Sequence, residues 1–196
     1  MISSPLLNET LVKALKGGKI VVIPTDTIYG IVGSALIPET VEKIYKLRRR
    51  NPTKPCIILI SDINELGKFN IKVSQVEKQL LQKIWPNPVS VIFPCSDDKF
   101  TYLHRGTKTL AFRMPKNDEL LELLRKTGPL VAPSANFEGE KQAETIEDAR
   151  KYFGDNILYI DGGKLVGKSS TLIEFKNDQI RLLREGAFKI GRNSVK

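Results

Sequence analysis

The chain has 196 residues, of which 41% are hydrophobic and 27% are charged, and its formal net charge is +9. This composition is ordinary for a globular protein and excludes the disordered and fibrous classes. No apolar run approaches the roughly 18 residues that span a bilayer, and the first segment, MISSPLLNET, lacks the basic start and long apolar core of a signal peptide. The positive charge favours partners that carry phosphate, either nucleotides or nucleic acid, although a solvated basic surface gives the same total.

The length of the chain limits the number of domains, and its cysteines indicate the redox state of the cellular compartment. The length suits one domain, residues 1–196. Cys56 and Cys95 are too few for a metal framework and are not spaced as a redox pair, so we expect a protein of the reducing cytoplasm. Cys56 lies in the apolar run CIILI and is expected in the core.

Helix and strand patterns alternate along the chain. Asn8 is suited to cap a first helix, which Gly17 and Gly18 would end. Further helices are predicted for Glu39 to about Arg48, about Val73 to Trp85, Asp118 to Lys126, and from a cap at Thr145 to about Phe153. Strands are predicted at KIVVIP, CIILI, VSVIF, TLAFR, PLVA and NILYI, with TLIEF and QIRLL forming a hairpin turned at Asn177 and Asp178. The mixture predicts an α/β or α+β fold on a mixed twisted sheet.

Several polar clusters directly follow apolar strands, where loops of α/β proteins present binding groups. PTDTIYG follows KIVVI and contains two hydroxyls and a carboxylate, and PSAN follows PLVA and contains Ser134 and Asn136. Each cluster is able to orient a small polar ligand, and each is also typical of a simple turn. Arg113 ends the strand TLAFR, where a buried charge needs either a carboxylate ligand or a core acid as its partner.

A basic segment, RRRNPTKP, ends the second predicted helix. It places four cations within seven residues, beside two prolines that stiffen the chain. Guanidinium groups suit bidentate contact with phosphate. Attraction to the helix dipole is the alternative, and it accounts for one or two of these cations rather than four.

Two further features have structural interpretations. The letters of Gly162, Gly167, Lys168 and Ser169 match the phosphate-binding pattern G-x-x-x-x-G-K-[ST], but the strand-like TLIEF follows where that motif requires a helix. This context argues against a P-loop, although Ser170 or Thr171 can still touch a ligand. A single histidine cannot supply a zinc site, and His104 is interpreted as a surface residue.

Taken together, several segments resemble the YrdC family of L-threonylcarbamoyladenylate synthases, from about Gly17 to Gly186. The matching pieces are GGKIVVIPTDTIYGI, the basic helix end with its KP, IWPNPVSVIF, LAFRMP, PLVAPSAN, the DGG-to-SST segment and LLREG. The family signature pairs Lys-x-Arg with Ser-x-Asn. Ser134 and Asn136 match its second half, whereas Arg48 replaces the lysine ahead of Arg50. WPNP and LLREG also depart slightly from the family pattern.

The resemblance implies an open twisted mixed sheet flanked by helices around a deep basic cavity. The implied activity makes threonylcarbamoyl-AMP and pyrophosphate from L-threonine, bicarbonate and ATP with Mg²⁺, for a tRNA threonylcarbamoyl transferase complex that modifies adenosine next to the anticodon. The implied threonine-binding residues are Thr27, Arg113, Ala132 and Ser170, and no protein metal site is expected. The implied ATP-binding residues are Arg50, Lys54, Thr109, Ser134, Gln142 and Arg184, and the implied catalytic residues are Arg48, Arg50, Ser134 and Asn136.

Two alternatives remain open at the level of sequence. A non-enzymatic RNA-binding protein would use the same basic cavity to hold duplex or tRNA backbone, with steep dependence on salt. PTDT and PSAN would then have no purpose, although weak RNA binding is compatible with the synthase. A P-loop hydrolase is the other alternative, and it depends on Lys168.

Overall fold

The computed structural model describes residues 5–176 and 179–190. Its α-helices are α1 (Glu9–Lys16), α2 (Pro38–Leu47), α3 (Gln75–Ile84), α4 (Thr101–His104), α5 (Asp118–Thr127) and α6 (Ile146–Phe153), and 3-10 helices span Pro5–Leu7, Ile63–Phe69 and Asp98–Phe100. Its strands are β1 (Val21–Pro24), β2 (Tyr29–Ser34), β3 (Ile57–Leu59), β4 (Val89–Pro94), β5 (Thr109–Arg113), β6 (Leu130–Val131), β7 (Leu158–Tyr159), β8 (Thr171–Lys176) and β9 (Gln179–Arg184). None of the described helices is both long and apolar enough to cross a membrane.

The helices begin where the sequence offers caps. Asn8 accepts a hydrogen bond from the backbone N–H of Thr10, and Thr145 accepts one from the N–H of Asp148, as expected. Every predicted helix and strand is confirmed, with ends that shift by a few residues. The predicted turn at Asn177 and Asp178 lies outside the described residues, but β8 and β9 on either side of it pair antiparallel.

The sequence pattern does not predict strand β2, and it also does not predict the short helix α4 or the 3-10 helices. All six residues of β2, YGIVGS, are buried, so the strand lacks the alternation of a half-exposed strand. It lies inside the sheet between β1 and β6. Its two glycines weaken the strand signal, because glycine is depleted in strands.

The strands form one mixed sheet in the order β7-β1-β2-β6-β3-β5-β4-β8-β9. β3 pairs parallel with β5, and β4 pairs parallel with β8, while β1–β2, β2–β6, β3–β6, β4–β5 and β8–β9 are antiparallel. This confirms the predicted open mixed sheet. Because β6 inserts between β2 and β3, the loop that follows β6 lies beside segments from much earlier in the chain.

Alternating residues of the strands feed two hydrophobic clusters, one on each face of the sheet. Val21 and Ile23 of β1 pack with the leucines of α1 and α5, whereas Val22 packs on the other side with Ile44 of α2. Burial of these apolar faces supplies the main stabilisation, at about 25 cal/mol per Å² of apolar surface. Cys56 is buried in the second of these clusters, as expected.

The position of His104 corrects the sequence interpretation. It was expected at the surface, but its side chain is only 1% exposed. The neighbouring Phe100 and Leu103 are also buried, so the short turn of α4 is drawn inward against the core. Nδ1 of His104 accepts a hydrogen bond from the backbone N–H of Gly106 at 3.1 Å, which offsets part of the cost of burying the ring.

Gly33 marks a close approach between β2 and α2 and gives a testable prediction. A Cβ atom at this position would overlap Cγ2 of Thr40, whose hydroxyl is held by the carbonyl of Gly18. Gly33→Ala should therefore cost about 1–3 kcal/mol by overpacking. Thermal unfolding measures the loss, at about 2–4 °C per kcal/mol for a chain of this size. Gly67→Ala is the control, because no atom lies within 4 Å of its added Cβ, and an equal loss in both variants would contradict the prediction.

Candidate functional site

A cavity of about 290 Å³ lies on one face of the sheet, over β3, β5, β4 and β8. On β5 the alternating residues Thr109, Ala111 and Arg113 all line it, as the two-residue period of a strand requires. Ile57 of β3 lies directly opposite Ala111 and extends the floor. The volume is near the lower end of small-molecule sites, about 300 Å³, so the cavity suits a small ligand rather than a macromolecule.

Loops complete the walls of this cavity. They come from the PTDT segment after β1, the basic segment after α2, the PSAN loop after β6 and the Ser169–Ser170 segment before β8. Of the predicted site residues, the structure brings eight to the lining: Thr27, Arg50, Thr109, Arg113, Ala132, Ser134, Ser170 and Arg184. Among the described lining residues there are three arginines and no carboxylate, so the lining attracts anions.

Arg113 is the most deeply buried of the three arginines, with 4% exposure. Its Nη2 lies 3.2 Å from Oδ1 of Asp26, and its Nη1 donates to the hydroxyl of Thr27 at 3.4 Å. Asp26 is held in turn by the backbone N–H of Lys116. Burial lowers the pKa of Arg113, and the carboxylate of Asp26 works against that shift. The sequence left a ligand or a core acid as the partner of Arg113, and Asp26 fills the second role.

The guanidinium of Arg50 is held by backbone carbonyls of the same basic segment. Its Nε donates to the carbonyl of Lys54 at 3.0 Å, and its Nη2 donates to the carbonyl of Pro55 at 2.8 Å. The rigid prolines therefore hold the guanidinium in one place, which reduces the entropy lost when an anion binds. Arg184, at the end of β9, donates to the carbonyl of Ser170, and burial lowers its pKa.

Hydroxyl groups supply the remaining polar lining. The hydroxyl of Thr25 accepts from the N–H groups of Thr27 and Ile28, so the PTDT segment is a hydroxyl-stabilised turn that also faces the cavity. The hydroxyls of Ser170 and Ser90 lie 2.8 Å apart, and both residues are buried. These groups are positioned by the protein before any ligand binds.

Arg48 does not line the cavity but ties the basic segment to the PSAN loop. It is 2% exposed, and its Nε donates to the carbonyl of Ser134 at 2.7 Å. Its Nη2 donates to the hydroxyl of Ser134 at 3.1 Å and to Oδ1 of Asn136 at 3.4 Å. Its pKa is lowered to about 10, mainly by burial and also by the nearby charge of Arg50. The two halves of the signature are thus in direct contact.

Three other predicted residues lie outside the cavity lining. Asn136 is buried and donates to the carbonyls of Phe137 and Glu140, so it shapes the PSAN loop. Lys54 is exposed and pairs with Glu138 at 2.7 Å. Gln142 donates to the carbonyl of Gly167, in the segment that precedes β8, at 2.8 Å.

Sequence reasoning missed two polar residues that support the site. The hydroxyl of Tyr29 accepts from the N–H of Gly162 and donates to the carbonyl of Gly163, both at 2.8 Å, and it thereby anchors the segment before β8. Ser90 supports Ser170 from within β4. A serine in the middle of the apolar strand VSVIF was the available signal, since a polar residue there needs a partner.

The structure confirms that the P-loop pattern is accidental. Residues 160–170 form an irregular segment, and the strand β8 follows it instead of a helix. Lys168 is exposed and is not among the residues that line the cavity.

Comparison with known proteins gives consistent matches over nearly the whole chain. A family profile named Sua5_yciO_yrdC, described as "Telomere recombination", matches residues 13–186. The chain is 32% identical to threonylcarbamoyl-AMP synthase of Bacillus subtilis over 88% of its own length and 51% of that protein. It is 34% identical to a putative threonylcarbamoyl-AMP synthase of Methanocaldococcus jannaschii over 93% of its own length and 86% of that protein.

A solved structure agrees with the fold. P. abyssi Sua5 complexed with L-threonine is 29% identical and superposes with a TM-score of 0.82 over 90% of this chain and 53% of that chain. The chain spans about half the length of the Bacillus subtilis and Pyrococcus abyssi proteins that it matches.

Proposed function

The chain belongs to the Sua5_yciO_yrdC family, and we propose that it makes threonylcarbamoyl-AMP and pyrophosphate from L-threonine, bicarbonate and ATP. The observation that carries the proposal is that one cavity is lined by residues from separate segments of the chain: Thr25, Thr27, Arg50, Arg113, Ser134, Ser170 and Arg184. It offers guanidinium groups for phosphate and carboxylate, and hydroxyls for the amino acid. The names of the relatives and the threonine in the solved complex point to the same substrates.

In the proposed reaction, the amine of threonine adds to the carbon of bicarbonate and water leaves, which gives a carbamate. An oxygen of the carbamate then attacks the α-phosphorus of ATP, and pyrophosphate leaves with the electron pair of the broken P–O bond. The nucleophilic groups of the described lining are hydroxyls without a neighbouring base and the thiol of Cys56, whose pKa is raised by burial. We therefore assign catalysis to positioning and charge neutralisation.

We assign the cations by their surroundings. Arg50 and Arg184, the two less buried arginines of the lining, would neutralise the charge that develops on the phosphates. Arg113 and Thr27 would seat the carboxylate and hydroxyl of threonine at the buried end, with Ala132 beside them. Ser134 would bond the nucleotide or the carbamate, and Arg48 would act by holding Ser134 in place. Lys54 and Gln142 would need to move to reach ATP.

The described residues do not fit a magnesium site held by the protein. Mg²⁺ prefers carboxylate oxygens, and the lining offers hydroxyls and guanidinium groups instead. The described residues also contain no group of three histidine, cysteine or acidic side chains placed to hold a metal. No step is therefore assigned to a metal ion.

The direct test is to incubate the pure protein with ATP, Mg²⁺ and bicarbonate and to follow pyrophosphate with and without L-threonine. Pyrophosphate that forms only when threonine is present supports the proposal. No pyrophosphate, together with RNA affinity that falls steeply with salt, would favour the non-enzymatic RNA-binding protein instead.

Lys168→Ala separates the proposal from a P-loop hydrolase. Since Lys168 is exposed and outside the cavity, we expect ATP turnover to change by no more than about twofold, which corresponds to the roughly 0.5 kcal/mol of an ordinary surface substitution. In a P-loop this lysine contacts the β- and γ-phosphates, and its loss would abolish turnover. Initial rates at saturating ATP decide between the two outcomes.

A further inference from the structure

A second, larger cavity lies at the opposite end of the sheet from β9. It is an open groove of about 860 Å³ bounded by α1, α2 and the edge strand β7, and it shares no lining residue with the first cavity. Nothing in the proposed reaction uses it. We refer to it as the β7 groove.

The floor of the β7 groove is apolar. Ile20, Leu47, Ile157 and Leu158 line it, and Leu158 is 44% exposed although it belongs to a strand. A partly exposed apolar residue on a sheet edge favours association, and proteins normally cover or charge such edges.

The rim of the β7 groove is basic. It carries Lys13, Lys19, Lys43 and Lys46, and the last three form no ion pair with a carboxylate in the described part of the chain. Asp155 is the groove's one described acidic residue, and it is already paired with Arg150. The rim therefore offers several cations with no internal counter-charge.

Within the described residues, the edge strand β7 also presents backbone groups that pair with no other strand. Val22 of β1 lies opposite Tyr159, and the N–H of Ile160 donates to the carbonyl of Val22. Because successive residues of a strand direct their backbone groups to opposite sides, the N–H and C=O of Tyr159 point away from β1, toward the open edge. An added strand can pair with them.

We propose that the β7 groove docks an extended, acidic segment of a partner protein. The segment would add a strand along β7, place alternate apolar side chains on the floor, and pair its carboxylates with the lysines of the rim. Strand addition supplies affinity through the backbone, and the alternate side chains supply specificity. A nucleic acid would satisfy the lysines but would leave the apolar floor and the strand edge unused.

The test uses fluorescence anisotropy with a short labelled peptide in which glutamate alternates with valine. Comparison probes are a peptide in which glutamate alternates with serine and a single-stranded RNA of the same charge. We expect the glutamate–valine peptide to bind most tightly. We expect its affinity to fall about tenfold or more in Lys43→Glu/Lys46→Glu, because both changes place like charge against the peptide. Tighter binding of the RNA, or equal binding of the two peptides, would overturn the proposal.

The matched control is Lys72→Glu/Lys83→Glu, which makes the same change in net charge on exposed lysines away from the groove. An equal loss in both double variants would mean that only net charge attracts the peptide. Amide hydrogen exchange supplies an independent reading, because strand addition must protect the N–H of Tyr159. Binding without that protection would also overturn the docking geometry.

Discussion

Arg50→Ala is expected to lower the rate of pyrophosphate formation by about 10²–10³-fold, the loss that follows removal of one donor to developing charge in a transition state. Arg50 lines the cavity, and its guanidinium is fixed by the carbonyls of Lys54 and Pro55. A fixed cation needs no reorganisation when the charge on the phosphates changes. Most of the effect should therefore appear in kcat, measured at saturating ATP and threonine.

The neighbouring Arg49 provides the control for this prediction. Its guanidinium lies 4.0 Å from the centre of the Phe137 ring and does not line the cavity, so Arg49→Gln removes the same charge from the same segment. Its rate should stay near that of the unaltered protein. Equal rates for Arg50→Ala and Arg49→Gln would exclude Arg50 from the reaction, and thermal unfolding of both variants shows whether the segment remains folded.

Arg113→Met is expected to destabilise the fold by about 3–5 kcal/mol, because it leaves the carboxylate of Asp26 buried without its partner. The side chains of Arg113 and Asp26 are 5% and 3% exposed, so water cannot replace the lost interaction. Chemical denaturation measures the free energy of unfolding directly. Threonine-dependent pyrophosphate formation should be lost in the same variant.

The double variant Arg113→Met/Asp26→Asn separates the two roles of the arginine. Asparagine keeps an acceptor for the backbone N–H of Lys116 but no longer buries an unpaired charge. We expect most of the stability to return while threonine-dependent activity stays absent. If activity returned together with stability, Arg113 would be a structural residue only.

The sequence predicted the individual strands of the sheet better than the long-range contacts between them. Apolar periodicity located β5, and the family pattern then assigned Thr109 and Arg113 on one of its faces to the site. The partner of Arg113 could not be chosen from the sequence, because Asp26 lies on the loop after β1, and three strands separate β1 from β5 in the sheet. Long-range order of this kind has no local signal.

Neighbouring residues in the sequence also gave wrong or incomplete predictions for particular side chains. His104 stands among polar letters in TYLHRGTK, yet the apolar Phe100 and Leu103 nearby decide its burial. Arg48 and Arg50 are two letters apart, and only Arg50 reaches the cavity lining. Their different surroundings depend on the PSAN loop, whose carbonyl and side chains receive Arg48. Eight of the predicted residues line one cavity, but the contacts that distinguish their individual tasks are not visible in the sequence.

The contribution of β8 and β9 to the cavity lining has a consequence for biosynthesis. The lining runs from Thr25 to Arg184, so a nascent chain that still lacks β8 and β9 has only part of its binding surface. Substrate then has little affinity for translation intermediates and stabilises only the finished molecule, by mass action on the folded state. Folding on the ribosome is therefore expected to proceed without help from the proposed substrates, and to depend on the stability of the protein alone.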